Sequence, residues 1–438
     1  MSKLRRELTL SGLTLIAIGS CIGSGIFLTP SQVAQHLGSP VLILGVWALG
    51  GCVALTGALT FAELGAMFPR AGGVYVYLRE GYGDLAAFWY GWAYFVVVNS
   101  GALAALTLAC AYYVGFLVPL SGDGQLAVAC GAVVVVTTIN VLRVKLVQLF
   151  AGLFTGLKLA GIAAIVGVGL WMGSGGLGTP AAPAVDGSRD TLSALGLALV
   201  GVFFSYGGWH HASYLSGEAR DSSRTIPRAM ILGALIVTLT YLAINIAFMR
   251  LLGVEKMAAS QKVAADAIST VMPSGASAIA VIIVISTFGT ALIYTLSAPR
   301  IYFAMAEDGL FFRVLARVHP TFHTPVAAVL FQSAWAIVLI LAWGTFEEVI
   351  TYVTFTDWIF FTLAASLVFV FRVRRPDAER SYRTLGYPVT PLIFICVSVF
   401  FIVNTLIERP VQAVWALGLL GSGLPFYLYF KRAARSSG

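Results

Sequence analysis

Three glycines and two serines interrupt the first apolar stretch of this chain, in the run Gly19-Ser20-Cys21-Ile22-Gly23-Ser24-Gly25-Ile26-Phe27. A helix in lipid must satisfy its own backbone, so a break at mid-membrane depth faces protein, water or a ligand. The segment before such a break ends in free carbonyls and the one after it begins with free amides, each reinforced by the helix dipole. Those two ends suit a zwitterion. The amides of Ser24 and Gly25 can hold a carboxylate, and the carbonyls of Cys21, Phe204 and Ser205 can receive an ammonium. Phe204 and Ser205 belong to a second break, Phe204-Ser205-Tyr206-Gly207-Gly208-Trp209, further along the chain. Backbone recognition of this kind reads the part common to all α-amino acids. Discrimination between side chains then falls to neighbours such as Ile22, Tyr206, Trp209, His210 and Tyr241. Helix packing is the other reading of either break alone, since Gly19 and Gly23 form a small-xxx-small contact. Paired interruptions in corresponding halves point instead to a secondary transporter.

The elements that must position these residues are apolar throughout. Of 438 residues, 59% are hydrophobic and 11% charged, with mean hydropathy +0.90, far from a soluble domain. The pattern predicts an all-α polytopic membrane protein of about twelve spans. The first five are expected over Leu10–Gln35, Pro40–Phe68, Leu85–Val118, Leu126–Leu142 and Leu146–Met172. The rest are expected over Leu192–Leu215, Ile226–Leu252, Ala276–Ala304, Pro325–Trp343, Phe346–Phe371, Tyr387–Leu406 and Val411–Phe430. No cleavable signal peptide is expected. With both termini on one side, that side carries 21 of the 27 Lys and Arg and the opposite side 5, which makes the termini cytoplasmic. The net charge of +8 follows from this bias and does not imply nucleic-acid binding.

A Gly/Pro connection, Gly173 to Pro180, separates two five-span halves. An odd number of spans per half inverts the second, so residues 1–172 and 191–371 are expected as inverted repeats joined by an extracellular linker, 173–190. The breaks then fall in helices 1 and 6. Residues 372–438 hold the last two spans and a cytoplasmic end. Between Val254 and Met272 an amphipathic stretch predicts a short outer helix across the mouth, or a plain connector. All five cysteines fall in or at the edge of spans, so no disulfide framework is expected.

Lys158 is the single ionisable residue deep in the fifth span. An unpaired ammonium there must face protein and find carbonyls or hydroxyls, unless it snorkels to an interface. Near the inner end of the second span, Glu63 is read as the partner of a loop arginine such as Arg70, or as a gate. Glu218, Arg220 and Arg224 after the sixth span, with Arg300 and Asp308 after the eighth, form either a charge network that opens and closes or simple interfacial anchors.

Several stretches carry a resemblance that covers nearly the whole chain. They are Ile22-Gly23-Ser24-Gly25-Ile26-Phe27, Phe61-Ala62-Glu63-Leu64-Gly65, Phe68-Pro69-Arg70-Ala71-Gly72-Gly73, Phe204 to Trp209, Glu218-Ala219-Arg220, and Pro299-Arg300-Ile301-Tyr302 with Met305 to Gly309. In order and spacing the chain resembles the amino acid, polyamine and organocation transporter superfamily, and looks most like its L-amino acid transporter branch. The resemblance implies that Lys158 replaces the sodium ion of sodium-coupled relatives, touching the carbonyl near Gly19 and a hydroxyl of Ser286 or Thr287. It further implies that Phe204 closes over the substrate and that Tyr241 helps set access. His210 and His211 stand where the resemblance would have smaller polar residues. In eukaryotic members a cysteine after the third span links a glycoprotein partner, and Pro119 to Gln125 has none, so no such partner is expected.

These readings combine into a sodium-independent exchanger of neutral L-amino acids, prokaryotic and in the cytoplasmic membrane, with no cofactor or metal. Proton-coupled symport or uniport is the alternative, and a membrane amino acid sensor is the alternative of another class. No His-Glu-x-x-His, Gly-x-Ser-x-Gly or metal-spaced cysteine pair points to an enzyme.

Overall fold

The computed structural model describes residues 4–142, 144–175, 191–342 and 346–435. Thr9 caps the first helix, its hydroxyl accepting from the Gly12 amide, and α1 runs Leu10–Cys21. After a three-residue gap α2 follows over Gly25–Leu37, bent from α1 by 41°. It ends at Gly38, whose φ of 60° is a conformation glycine adopts freely.

Pro40 then opens α3, Pro40–Met67, as its fixed φ allows at a first helical position. A short α4, Val74–Tyr82, leads to α5, Asp84–Ala93. A π-helical turn, Tyr94–Val98, joins α5 to α6, Asn99–Leu117. Such turns recur at functional sites. Next come α7, Gly122–Leu142, and α8, Val144–Met172.

The expected sixth span, Leu192–Leu215, is divided. Its helix α9 covers Thr191–Tyr206, and a turn at Gly207–His210 separates it from one turn of helix, α10, His211–Tyr214. Gly208 at φ 133° makes that interruption. Further on, α11 covers Ser222–Ala259 with a kink at Gly253, and α12 covers Val263–Ser269. The outer helix expected between Val254 and Met272 is therefore two pieces, because Gly253 at φ 73° and the non-helical Ser260 to Lys262 interrupt it. Its first piece lies against α2, with Ser31 and Gln35 both donating to the Ala258 carbonyl.

The chain continues with α13, Gly275–Ser297, and α14, Pro299–Glu307. After them come α15, Val326–Ala342, α16, Phe346–Arg374, α17, Val389–Glu408, α18, Pro410–Gly421, and α19, Gly423–Arg435. Nine helices among the described residues are long and apolar enough to cross a membrane, and the bent α1–α2 pair makes ten. Two shorter apolar helices, Thr191–Tyr206 and Val326–Ala342, stand at the sixth and ninth expected spans. Breaks and kinks thus shorten the count of continuous helices, not the run of apolar segments.

α1 lies against α8 and α11, α2 against α9, α3 against α11, and α6 against α13. The linker expected over 173–190 lies largely outside the described residues. Its described start is tied to α11, with the Gly175 amide on the Arg250 carbonyl at 2.7 Å and Arg250 donating to the Gly173 carbonyl at 2.8 Å. All five cysteines are free.

Candidate functional site

The two breaks touch. Ser20 donates to the Gly208 carbonyl at 2.8 Å, and the Cys21 thiol lies 3.5 Å from the Tyr206 carbonyl. Ser205 and Thr29 share a hydroxyl contact of 2.9 Å. A Cβ at Gly25 would stand 2.9 Å from the Ser205 Cα, and one at Gly208 would stand 2.6 Å from the Ser20 carbonyl carbon. Only glycine permits an approach this close.

Below the first break the carbonyls left by α1 are collected by one cation. The Lys158 ammonium, fully buried on α8, donates to the carbonyls of Gly19 (3.0 Å) and Ile22 (2.7 Å) and to the Thr290 hydroxyl (2.8 Å), with the Ser286 carbonyl at 3.3 Å. A cation at the carboxyl end of a helix complements its dipole. Lys158 therefore faces protein and does not snorkel. The hydroxyl expected from Ser286 or Thr287 comes instead from Thr290, one turn further along α13. Ser286 turns its hydroxyl to the carbonyls of Ile22 (3.1 Å) and Gly23 (3.3 Å), and Thr287 turns back to its own helix at Ile283. Gly19 has to be small here, since an added Cβ would lie 2.3 Å from the Thr155 hydroxyl.

The carbonyls expected to receive an ammonium carry a protein donor in this conformation. The Tyr241 hydroxyl lies 2.8 Å from both the Cys21 and the Ser205 carbonyl, bridging the two breaks. At the head of α2 the Ser24 hydroxyl is buried without a partner, beside the Ser24 and Gly25 amides, which stand at a helix start where amides lack an intrahelical acceptor.

Of the expected side-chain discriminators, Tyr206 and Trp209 point into the core. Tyr206 donates to the Trp47 carbonyl at 3.0 Å, and Trp209 packs edge-on to Phe61 with centroids 5.2 Å apart. Glycines on α3 make that room, since a Cβ at Gly50 would meet Tyr206 and one at Gly57 would meet Trp209. His210 lies 3.1 Å from the Tyr94 hydroxyl, and His211 lies 2.6 Å from the Ser297 hydroxyl.

Beside the second break is a void of about 20 Å³, lined by Phe204, Gly207, Tyr94, His211, Tyr294 and Asp357 among others. Asp357, on α16, accepts from Tyr94 at 2.5 Å. Sequence reasoning missed this carboxylate, although an acid in the middle of an apolar span is itself the signal. Thr290 lies four residues after Ser286 and so on the same helix face, but the sequence does not say which hydroxyl of that face meets Lys158.

The charged groups cluster at the end of the bundle that holds the amino terminus. Glu63 pairs with Arg372 (2.7 Å) and Arg380 (3.2 Å) and not with Arg70, which reaches Glu80. The reason is burial: Glu63 is only 1% exposed whereas Arg70 is 55% exposed, so the acid finds Arg372 in the last turn of α16 and Arg380 just beyond that helix. Arg300 is enclosed completely and pairs with Glu218 at 2.6 Å, while Asp308 takes Arg79 and the Tyr75 hydroxyl. Burial raises the Asp308 carboxyl above its ordinary range, with Arg79 pulling the other way. Nearby, the Glu7 and Leu8 amides both donate to the Glu218 carbonyl and the Arg220 amide to the Leu8 carbonyl, all at 2.9 Å.

A family model described as amino acid permease matches residues 8–420. The chain belongs to the amino acid permease family. It is 33% identical over 440 residues to the serine/threonine exchanger SteT of Bacillus subtilis, covering 99% of this chain and 98% of that one. It is 30% identical to the human b(0,+)-type amino acid transporter 1, covering 98% of this chain and 88% of that protein. The human cystine/glutamate transporter is 26% identical over 98% of this chain and 86% of its own. The permease is thus a multi-pass membrane protein of the superfamily that its motifs resemble, and its relatives move amino acids.

Proposed function

We propose that this permease exchanges neutral L-amino acids across the cytoplasmic membrane by alternating access, without sodium. The observation that carries the reading is the Lys158 ammonium gripping the carbonyls of Gly19 and Ile22 and the Thr290 hydroxyl of α13. A fixed cation tying the end of α1 to α13 supplies what a bound cation would otherwise supply. The substrate carboxylate takes the Ser24 and Gly25 amides, with Ile22 and Gly23 beside it. Its ammonium takes the carbonyls of Cys21, Phe204 and Ser205 as Tyr241 swings away.

Residues 1–172 and 191–371 act as two inverted halves, and packing of α3 on α11 and of α6 on α13 supports that pairing. The basic face that holds Leu8, Arg70 and Arg372 lies in the cytoplasm. Phe204 gates the opposite approach, and Glu63 and Arg300 belong to the inner closure.

The test is uptake of labelled neutral amino acids into proteoliposomes, empty or preloaded with unlabelled amino acid, with and without sodium or a pH gradient. Dependence on preloading and indifference to sodium are expected. Sodium-driven uptake into empty vesicles overturns the reading of Lys158, and proton-driven uptake replaces exchange with symport.

A further inference from the structure

The loop between α14 and α15 carries Arg313, Arg317, His319 and His323 and, after Asp308, no acid. Where it meets the start of α15 there is an open groove of about 460 Å³. Val314, Val318, Ala327 and Leu330 give it apolar walls, Arg317 and His319 also line it, and among the described residues no Asp or Glu does. None of the residues of the two breaks contributes to it, so it is separate from the groups that would hold an amino acid.

Arg317 is exposed, and its guanidinium has no carboxylate partner among the described residues. The His319 ring is held in place. It stacks on Phe322 with centroids 4.5 Å apart, and its Nδ1 accepts from the Thr321 and Phe322 amides, both at 3.2 Å. A neutral ring that accepts at Nδ1 carries its proton on Nε2, which leaves His319 one donor to offer.

From the groove a track leads along α15. Leu330, Ala334, Val338 and Leu341 are all exposed, and their spacing of three or four residues puts them on one helix face. Because α15 is an apolar helix at an expected span, that stripe faces hydrocarbon. A free phosphate would use the donors and leave the apolar walls wet, and an acyl chain alone would leave the donors idle. A phospholipid with a negative headgroup uses both, as basic pockets between spans on the cytoplasmic side do. A zwitterionic headgroup would bring an ammonium for which the groove holds no acid.

A single helical turn, Arg313–Ala316, stands between this groove and a larger cavity of about 1140 Å³ lined by Leu4, Arg6 and Asp308, and Val318 lines both. An occupant of the groove therefore braces a turn that also walls the basic face.

We propose that the groove between the Arg313–Ala316 turn and α15 binds one anionic phospholipid, its phosphate on Arg317 and His319 and its acyl chain along the α15 stripe. The exchange reading is not needed for this, and only the leaflet that supplies the lipid, the cytoplasmic one, rests on the orientation proposed above.

The experiment is thermal unfolding of the purified full chain in detergent, titrated with dihexanoyl phosphatidylglycerol, dihexanoyl phosphatidylcholine or glycerol 3-phosphate. A ligand of the folded state raises Tm with its concentration. Phosphatidylglycerol is expected to raise Tm, and the other two to leave it in place. Arg317→Gln changes an exposed side chain and spares the fold, and there the affinity for phosphatidylglycerol should fall about fivefold. Leu330→Asp sets a like charge in the groove wall and should weaken binding further. Arg228→Gln, at an exposed arginine near the start of α11, should keep the full response. No rise with phosphatidylglycerol, or an equal rise with phosphatidylcholine, overturns the proposal, and a rise with glycerol 3-phosphate reassigns the groove to soluble phosphates. A full response in both groove variants, or the same loss in Arg228→Gln, removes Arg317 and the groove from binding. None of these failures touches the exchanger reading, which uptake into proteoliposomes decides.

Discussion

Lys158 occupies the position where a single side chain does the most. Its ammonium is fully buried and every contact it makes is to a carbonyl or hydroxyl of α1, the first break or α13. Removing it takes the one cation from the carbonyls of Gly19 and Ile22 and leaves them only the hydroxyls of Thr290 and Ser286, so Lys158→Ala should abolish exchange, a loss of at least about 100-fold by the energy of a charged hydrogen-bond set. Size-exclusion chromatography should still find it folded, and normal exchange by the variant would remove Lys158 from the cycle. Thr290→Val removes one acceptor of the ammonium and a hydroxyl that itself donates to the Gly19 and Ile22 carbonyls, but leaves the ammonium on those carbonyls, so a partial loss is expected there.

The need for Lys158 to find oxygens was legible in the sequence, because an ammonium in mid-span has few other options. Which hydroxyl it finds was not. Ser286, Thr287 and Thr290 all lie on α13, and only the rotation of that helix against α8 selects Thr290.

At the scale of elements, the crossing of two interrupted helices is what makes a site. Their contact leaves no space for a side chain at Gly25, where a Cβ would strike backbone of Ser205. Gly25→Val should destabilise by about 1–3 kcal/mol as an overpacked core does, read as a lowered Tm in detergent. Gly45 is the control: nothing lies within 4 Å of its added Cβ, so Gly45→Ala should stabilise by about 0.5–1 kcal/mol through helix propensity.

Tyr241→Phe tests the bridge between the breaks. It removes the one hydroxyl shared by the Cys21 and Ser205 carbonyls, and exchange rate should change more than Tm if those carbonyls bind substrate.

Both breaks could be placed from their glycines and serines alone. The partition of their side chains could not. Tyr206 and Trp209 are bulky neighbours of the second break, yet Gly50, Gly51 and Gly57 on α3 open sockets that draw both into the core. That complementarity is between distant stretches of chain, which no local pattern contains.

Across the whole molecule, ion pairs differ in worth by where they sit. Arg300 and Glu218 are sealed at 0% and 1% exposure, and breaking a buried pair by removing one member costs about 3–5 kcal/mol. Glu218→Gln should therefore lower Tm sharply. Arg70→Ala, in a pair whose arginine is 55% exposed, should shift stability by no more than about 1 kcal/mol. The same contrast explains the partner of Glu63: Arg70 is the nearest arginine in sequence but lies exposed, and the buried acid takes the more distant Arg372 and Arg380.

The short segment before α1 has a use of its own. Its backbone is stitched to the stretch after the second break through the amides of Glu7, Leu8 and Arg220. Those three N–H groups are bonded across two parts of the chain that separate if the basic face opens. Hydrogen–deuterium exchange at just these peptides is thus a clock for the transport cycle that needs no attached probe, slow while the face is shut and accelerating with the fraction of time it spends ajar.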